Sequence, residues 1–472
     1  MFSFIKNGLV KEVLSTTEYT EEEVQITTFK FERLSIASSV EKKNAIINKL
    51  NSNDDDNGNA NNDNQVEYKI EDSMFLQAYE QSKAVDVAFF RSKKMPGDPH
   101  VGFKVEFKNE LVQGLGGPYR QFFSDISTEL TSFLPLLIPT SNNIADKGEF
   151  KDRFTLSSSY NSSTALNHFE FLGVLMGICI RTGVHLTLDL ASIIWKKIID
   201  EPIGIEDVYQ YDEGLYNMIT AITDKDLTVD AFNNNFNYTF TCELTDRTIK
   251  ELLPDGNNLK VNFTERIKYA NLLVSARLSE CDMQIDSIRK GLSKIIPISL
   301  LKLLTYKELE QLVCGAKTVD IALLKQNTCL SPDLTEKSNK VRWLWEILNE
   351  MSDEDKVKFV KFCWAQERLP ATNEEFQKNQ IRFTIKSHTD KNKKNIFPRA
   401  DTCFFNLELL GCTSKEIMKN KIIQAINLDN VGMNADKVSR DVLNGNNMNN
   451  FWFNNRNQDE DDEEFEGDSM WK

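Results

Sequence analysis

"HFEFLGVLMGICIRTG", residues 168–183, is apolar at nearly every position from Phe169 to Ile180. Near-continuous apolarity with helical period implies a helix buried on most of its sides. A run of about a dozen residues is too short to span a bilayer, so the stretch reads as the core helix of a globular body. Its neighbours fit that body. "YRQFFSDISTELTSF" (119–133) has helical period, and "LTYKELEQLVCG" (304–315) reads as a helix stopped by Gly315 in a left-handed turn.

The totals agree. At 472 residues with 40% hydrophobic and 10% aromatic content, the chain predicts two or three domains with substantial cores. The net charge of −15 argues against a nucleic-acid binder, but it is unevenly placed. Residues 51–65, "NSNDDDNGNANNDNQ", hold four Asp and no base, and residues 456–472 hold eight acids against two bases. Those two segments read as a low-complexity linker and an acidic tail, and the remaining body is close to balanced. Eight cysteines (179, 242, 281, 314, 329, 363, 403 and 412) and four histidines (100, 168, 185 and 388) show no CxxC pairing. That spacing fits neither a zinc site nor a disulfide scaffold, and free cysteines are expected in the cytoplasm or nucleus. The start, "MFSFIKNGLVKEV", lacks a signal-peptide core.

A second block follows Gly315. "VRWLWEILNEM" (341–351) is amphipathic, and Ser352 with Asp355 makes a capping-box signature for the next helix. "FFNLEL" alternates as a strand with Phe405, Leu407 and Leu409 on one face. Thr413 with Glu416 caps a last helix, in which Met418, Ile422, Ala425 and Ile426 recur at helical spacing.

Cys403 stands in "FPRADTCFFNLEL" (397–409), between a polar loop and that strand. One reading buries it beside Phe405 as a small hydrophobe. The other keeps its thiol at the mouth of the strand, the partly exposed setting of a reactive cysteine. His388, in "KSHTDKNKKN", reads as a surface residue, which disfavours a thiol hydrolase. Exchange of one thioester for another needs no such base, because a few per cent of a cysteine is thiolate at neutral pH. The Gly-rich run in "NELVQGLGGPYRQFF" (109–123) lacks the lysine of a phosphate loop and reads as a turn before a helix.

The order of these pieces resembles a HECT ubiquitin-ligase domain over roughly residues 98–433, most of all the large HERC class. The segments that carry the resemblance are "GLGGPYRQFFSDISTEL", "FEFLGVLMGICIRTGVHLTLDLASIIWKKI", "LPDGNNLKVNFTERIKYANLLVSARL", "RKGLSKIIPISLLKLLTYKELEQLVCG", "FCWAQERLP" and "FPRADTCF". Departures are Val112-Gln113-Gly114-Leu115, where the family usually has an Asp, and Pro254-Asp255-Gly256 in place of Pro-Gly-Gly. The resemblance implies a bilobal α+β fold, with a mainly helical N-lobe carrying β-hairpins and a smaller α/β C-lobe joined to it by a flexible hinge. It implies an N-terminal extension (1–50), a linker (51–65), the N-lobe (66–315), the hinge (316–318), the C-lobe (319–440) and an Asn-rich, acidic tail (441–472). It also implies that Cys403 accepts ubiquitin from a conjugating enzyme and passes it to lysines of protein substrates. Tyr269 matches the aromatic with which such N-lobes contact the conjugating enzyme, the alternative being a place in a local core. Asp401 and Thr402 would orient the loop. No metal, nucleotide, nucleic acid or membrane is implied. A non-catalytic HECT-like scaffold is the rival reading, disfavoured by the intact Thr402-Cys403-Phe404.

Overall fold

The apolar run from Phe169 to Ile180 lies within a longer helix, Ser163–Thr182, in the computed structural model. The structure describes residues 27–32, 73–91, 100–108, 115–148, 150–387, 397–402, 404–409 and 412–428. In chain order the principal strands are β1 (Thr28–Phe31), β2 (Lys104–Phe107), β3 (Thr241–Glu243), β4 (Ile249–Glu251), β5 (Thr328–Leu330), β6 (Phe383–Ser387), β7 (Arg399–Asp401) and β8 (Asn406–Leu409). The principal helices are α1 (Met74–Ser82), α2 (Gly116–Ser132), α3 (Ser163–Thr182), α4 (Glu213–Thr223), α5 (Arg266–Leu278), α6 (Asp282–Ser293), α7 (Tyr306–Cys314), α8 (Asn339–Glu350), α9 (Asp353–Trp364) and α10 (Lys415–Leu428).

Among the described residues α3 alone is long and apolar enough to cross a membrane, yet most of it is buried inside the fold. What covers it is chiefly α6, and the approach is as close as two helices allow. A methyl group at Gly291 on α6 would land on the Glu170 carbonyl of α3, and one at Gly173 on α3 would land on the Ile288 carbonyl. Only glycine permits that backbone contact. Ser162 caps the start of α3 by accepting the Ala165 N–H, and Gly183 ends it at φ 74.

The apolar side chains sort into three cores. The largest runs from Phe29 to Cys314 and is built on α2, α3, α6 and α7. A small one gathers Ile219, Phe240, Tyr269 and Leu273 around α4, α5 and the β3–β4 hairpin. The third begins at Val319 and ends at Ile426. The N-terminal residues contribute β1, which pairs in parallel with β2 and buries Phe29 and Phe31. The fold is therefore bilobal and α+β, with a helical N-lobe and a C-lobe built on one four-stranded sheet of order β5–β6–β8–β7. In that sheet β5, β6 and β8 are parallel, while β7 runs antiparallel to β8 with Asp401 opposite Asn406.

Several local expectations need adjustment. Gly315 has φ 77 but ψ −176, an extended conformation open to glycine alone rather than a left-handed helical one. Crowding also leaves no room for a side chain there: a Cβ at Gly315 would stand 2.8 Å from His185 Nδ1 and 3.0 Å from Arg368 Cβ. Ser352 caps α9 as expected, accepting the Asp355 N–H at 3.1 Å. The last helix is capped by Ser414, whose Oγ accepts the Ile417 N–H at 3.3 Å, rather than by Thr413. The 51–65 linker and the tail lie outside the described residues.

The α3–α6 contact generates a direct test. Gly291→Ala should force the helices apart and lower stability by about 2 kcal/mol or more, as overpacked cores do. Chemical denaturation would show it as a lower midpoint, and an unchanged midpoint would mean that α6 shifts freely.

Candidate active site at the lobe seam

The β7–β8 connection carries the sequence Thr402-Cys403-Phe404-Phe405. Cys403 itself lies outside the described residues, whereas its neighbours on both sides are placed. The Phe404 N–H donates to the Asp401 carbonyl at 3.2 Å, and the Thr384 N–H of β6 donates to the Phe405 carbonyl at 2.9 Å. The two phenylalanines then part company. Phe404 is 71% exposed, while Phe405 is buried.

Phe405, read from the sequence as part of the strand, is buried as expected but sits before the strand with φ 53. A left-handed backbone costs a non-glycine residue about 1–2 kcal/mol. Its ring accounts for the choice: it stacks on Trp364 at 4.9 Å and 17°, and meets Phe383 at 4.8 Å. Trp364 ends α9, and the next residue, Ala365, is also left-handed at φ 56. Two strained residues thus flank one aromatic stack, and the packing of that stack holds them.

Beyond Ala365 the chain runs along the N-lobe. Arg368 Nη2 pairs with Asp189 Oδ1 at 2.8 Å, with the Arg368 side chain nearly buried. Its carbonyl lies 3.4 Å from His185 Nδ1, and the Ala316 N–H donates to the Leu369 carbonyl at 3.2 Å. A crevice of about 540 Å³ opens beside this strip, lined by Arg153, Tyr306, Lys307, Gly315, Lys317 and Arg368 among others. Arg153 there is paired with Glu310 at 2.7 Å, and Lys317 with Asp152 at 2.6 Å.

One further N-lobe residue reaches the turn. Arg120, in the first turns of α2, donates from Nε to the Trp364 carbonyl at 3.1 Å and from Nη2 to the Thr402 carbonyl at 2.6 Å. Its guanidinium also stands over the Trp364 ring, 5.6 Å from the centroid. The sequence shows Arg120 inside a helical motif but gives no sign of this partner, which is 282 residues away.

The other thiols differ in setting. Cys179, Cys242, Cys281, Cys314 and Cys363 are buried, Cys412 is half-buried and Cys329 is exposed. Burial pushes the thiols of Cys281 and Cys314 up to about 12, and Cys179 well above its usual value. Cys242 and Cys412 are raised by burial too. Such thiols hold almost no thiolate at neutral pH. Of the histidines, His168 belongs to the N-lobe core beside Tyr79; burial brings it down to about 4, and Nδ1 meets the Tyr160 hydroxyl at 2.8 Å. His388 lies outside the described residues.

Tyr269 lies in the small core around α5. It is 4% exposed, stacks on Tyr238 at 5.7 Å, and donates from its hydroxyl to the Thr241 carbonyl at 3.3 Å. The exposed apolar residue on the same helix is Ile267.

A two-lobed α+β body whose Thr402 carbonyl is held at the lobe seam defines a class, and comparison with known proteins supplies the family. The model of the HECT-domain (ubiquitin-transferase) family matches residues 124–435, and the chain belongs to that family. It is similar to the E3 ubiquitin-protein ligase HERC2 of Homo sapiens, 30% identical over 349 residues, which covers 74% of this chain and 7% of HERC2. The probable E3 ubiquitin-protein ligase HECTD4 of Homo sapiens is 29% identical over 388 residues, 75% of this chain and 10% of HECTD4. The E3 ubiquitin-protein ligase pub1 of Schizosaccharomyces pombe is 26% identical over 329 residues, 68% of this chain and 41% of pub1. The chain thus spans a small fraction of the length of HERC2 and HECTD4.

The contrast between the two phenylalanines is testable by thermal or chemical unfolding. Phe405→Ala should cost about 3 kcal/mol or more through loss of the stack, whereas Phe404→Ala should stay within about 0.5 kcal/mol. Equal effects would mean that the stack does not hold the turn.

Proposed function

We propose that this chain is a ubiquitin-protein ligase that carries ubiquitin as a thioester on Cys403. The observation that carries the reading is the HECT-family match across residues 124–435 together with the Thr402–Phe404 turn at the lobe seam. In the first half-reaction the Cys403 thiolate attacks the carbonyl carbon of the thioester on a conjugating enzyme. A new C–S bond forms and the conjugating enzyme's cysteine leaves as thiolate, taking up a proton from solvent. In the second, a substrate lysine amine attacks the Cys403 thioester, an amide forms, and the Cys403 thiolate departs while the amine's surplus proton passes to solvent. Sulfur replaces sulfur in the first step, so the exchange is close to balanced and needs positioning more than activation. The raised thiols of the buried cysteines favour Cys403 over them as the nucleophile.

The two half-reactions place the nucleophile against different partners, which favours a hinge at residues 316–318. The apolar cores support it, since one ends at Cys314 and the next begins at Val319. Interfaces within one chain commonly allow such motion. Conjugating-enzyme binding would fall on the small core around α5, with Tyr269 acting through the packing of that platform. The partners are ubiquitin, a conjugating enzyme and protein substrates, and free cysteines suit a cytoplasmic or nuclear setting.

Incubation with activating enzyme, conjugating enzymes and ubiquitin should give an adduct that is lost on reduction. Cys403→Ala should abolish it and Cys403→Ser should leave a reductant-resistant ester. A reducible adduct that survives Cys403→Ala but vanishes with Cys329→Ala would contradict the assignment. For the platform, Tyr269→Phe should load normally and Tyr269→Ala should load poorly, because an aromatic core truncation costs about 3–5 kcal/mol. Normal loading of the alanine variant would remove Tyr269 from the account.

A further inference from the structure

We propose that Arg120 is a positioning residue for transfer of ubiquitin from Cys403 to lysine, gripping the nucleophile turn from the opposite lobe. The inference rests on the reading of Cys403 as the thioester carrier. Its basis is the set of contacts that Arg120 makes across the seam.

The carbonyl that Nη2 holds, that of Thr402, belongs to the peptide unit that leads into residue 403. The carbonyl that Nε holds closes α9 one residue before the left-handed Ala365. A guanidinium is always charged, and its planar fork presents several donors in fixed directions. Here it spans two backbone segments of the C-lobe that are 38 residues apart, Trp364 and Thr402. Hydrogen bonds from a charged donor are shorter and stronger than neutral ones, and the Nη2 bond is 2.6 Å. The same guanidinium covers the face of Trp364, which stacks on Phe405. Arg120 thus meets Trp364, and Trp364 meets Phe405, so the three side chains connect α2 to the turn.

Both hydrogen bonds are made to backbone carbonyls of the C-lobe. The grip therefore depends on where the turn's main chain lies, and it reports lobe docking directly to the residue next to Cys403. It is also anchored to the large N-lobe body. Tyr119 and Phe122, on either side of Arg120, are buried in the main core, and the Tyr119 hydroxyl accepts the Gly102 N–H at 3.0 Å. The small core around α5, where the conjugating enzyme is proposed to bind, is separate from it. A turn held against the main body is thus assigned to the second half-reaction, after ubiquitin has left the conjugating enzyme.

Arg120→Ala should therefore slow discharge of preloaded ubiquitin to free lysine by about tenfold or more, the scale on which misplaced reacting groups lose rate. The loss should fall on the maximal discharge rate, with the half-saturating lysine concentration unchanged. Loading from the conjugating enzyme should proceed as in the wild-type chain. Arg120→Lys keeps the charge but not the fork, so its discharge should lie between the two. Thermal unfolding of both variants separates positioning from folding, and the lysine variant carries the test if the alanine variant is unstable. Wild-type discharge by both variants overturns the proposal, as does an equal slowing of loading and discharge. A wild-type chain that forms no reducible adduct through Cys403 would instead sink the ligase reading itself, so the two failures are told apart.

Discussion

The ion pair between the nearly buried Arg368 and the partly exposed Asp189 fixes how the two lobes meet. The pair acts together with backbone contacts that the same segment makes to the N-lobe. The segment from Trp364 to Ala371 consequently has little freedom in this arrangement. The Leu369 and Arg368 carbonyls face Ala316 and His185, and Gly315 has no room for a side chain between His185 and Arg368. With that segment pinned, Trp364 is pinned, and Trp364 carries the stack that places Phe405 and the end of the β7–β8 turn.

The consequence is a division of labour within a four-residue connection. Phe405 spends backbone strain to bury its ring, Phe404 faces solvent, and the Thr402 carbonyl faces Arg120. Residues on both sides of position 403 are therefore fixed by contacts that belong to different lobes. A carrier of an acyl group benefits from this, since a thioester needs its carbonyl presented in one direction and little else from its surroundings.

Much of the framework was legible in the sequence because it is set by local pattern. The apolar run at 168–183 and the amphipathic 341–351 return as helices, and Ser352 caps the next one. The order of short motifs identified the HECT family, and the family match bears that out. What local pattern cannot carry is contact between distant segments. Position 315 has room only for glycine because His185 and Arg368 crowd it, and Phe405 is left-handed because Trp364 and Phe383 claim its ring. Tyr269 shows the same limit from the other side: a motif position alone does not say whether an aromatic faces a partner or a core, and here Tyr238, Phe240 and the Thr241 carbonyl enclose it. Arg120 could be read as part of a helix but not as a bridge to Thr402.

The settings of the thiols narrow the chemistry. Five cysteines are buried, and in four of them burial raises the thiol. The account holds that ubiquitin is carried at position 403, and protection from alkylation tests this most directly. The chain is charged with ubiquitin, treated with iodoacetamide, reduced, and mapped by mass spectrometry beside an uncharged control. The account predicts that charging shields Cys403 from alkylation and leaves the exposed Cys329 equally modified in both samples. Shielding of Cys329 or Cys412, with Cys403 alkylated to the same extent in both, would contradict it.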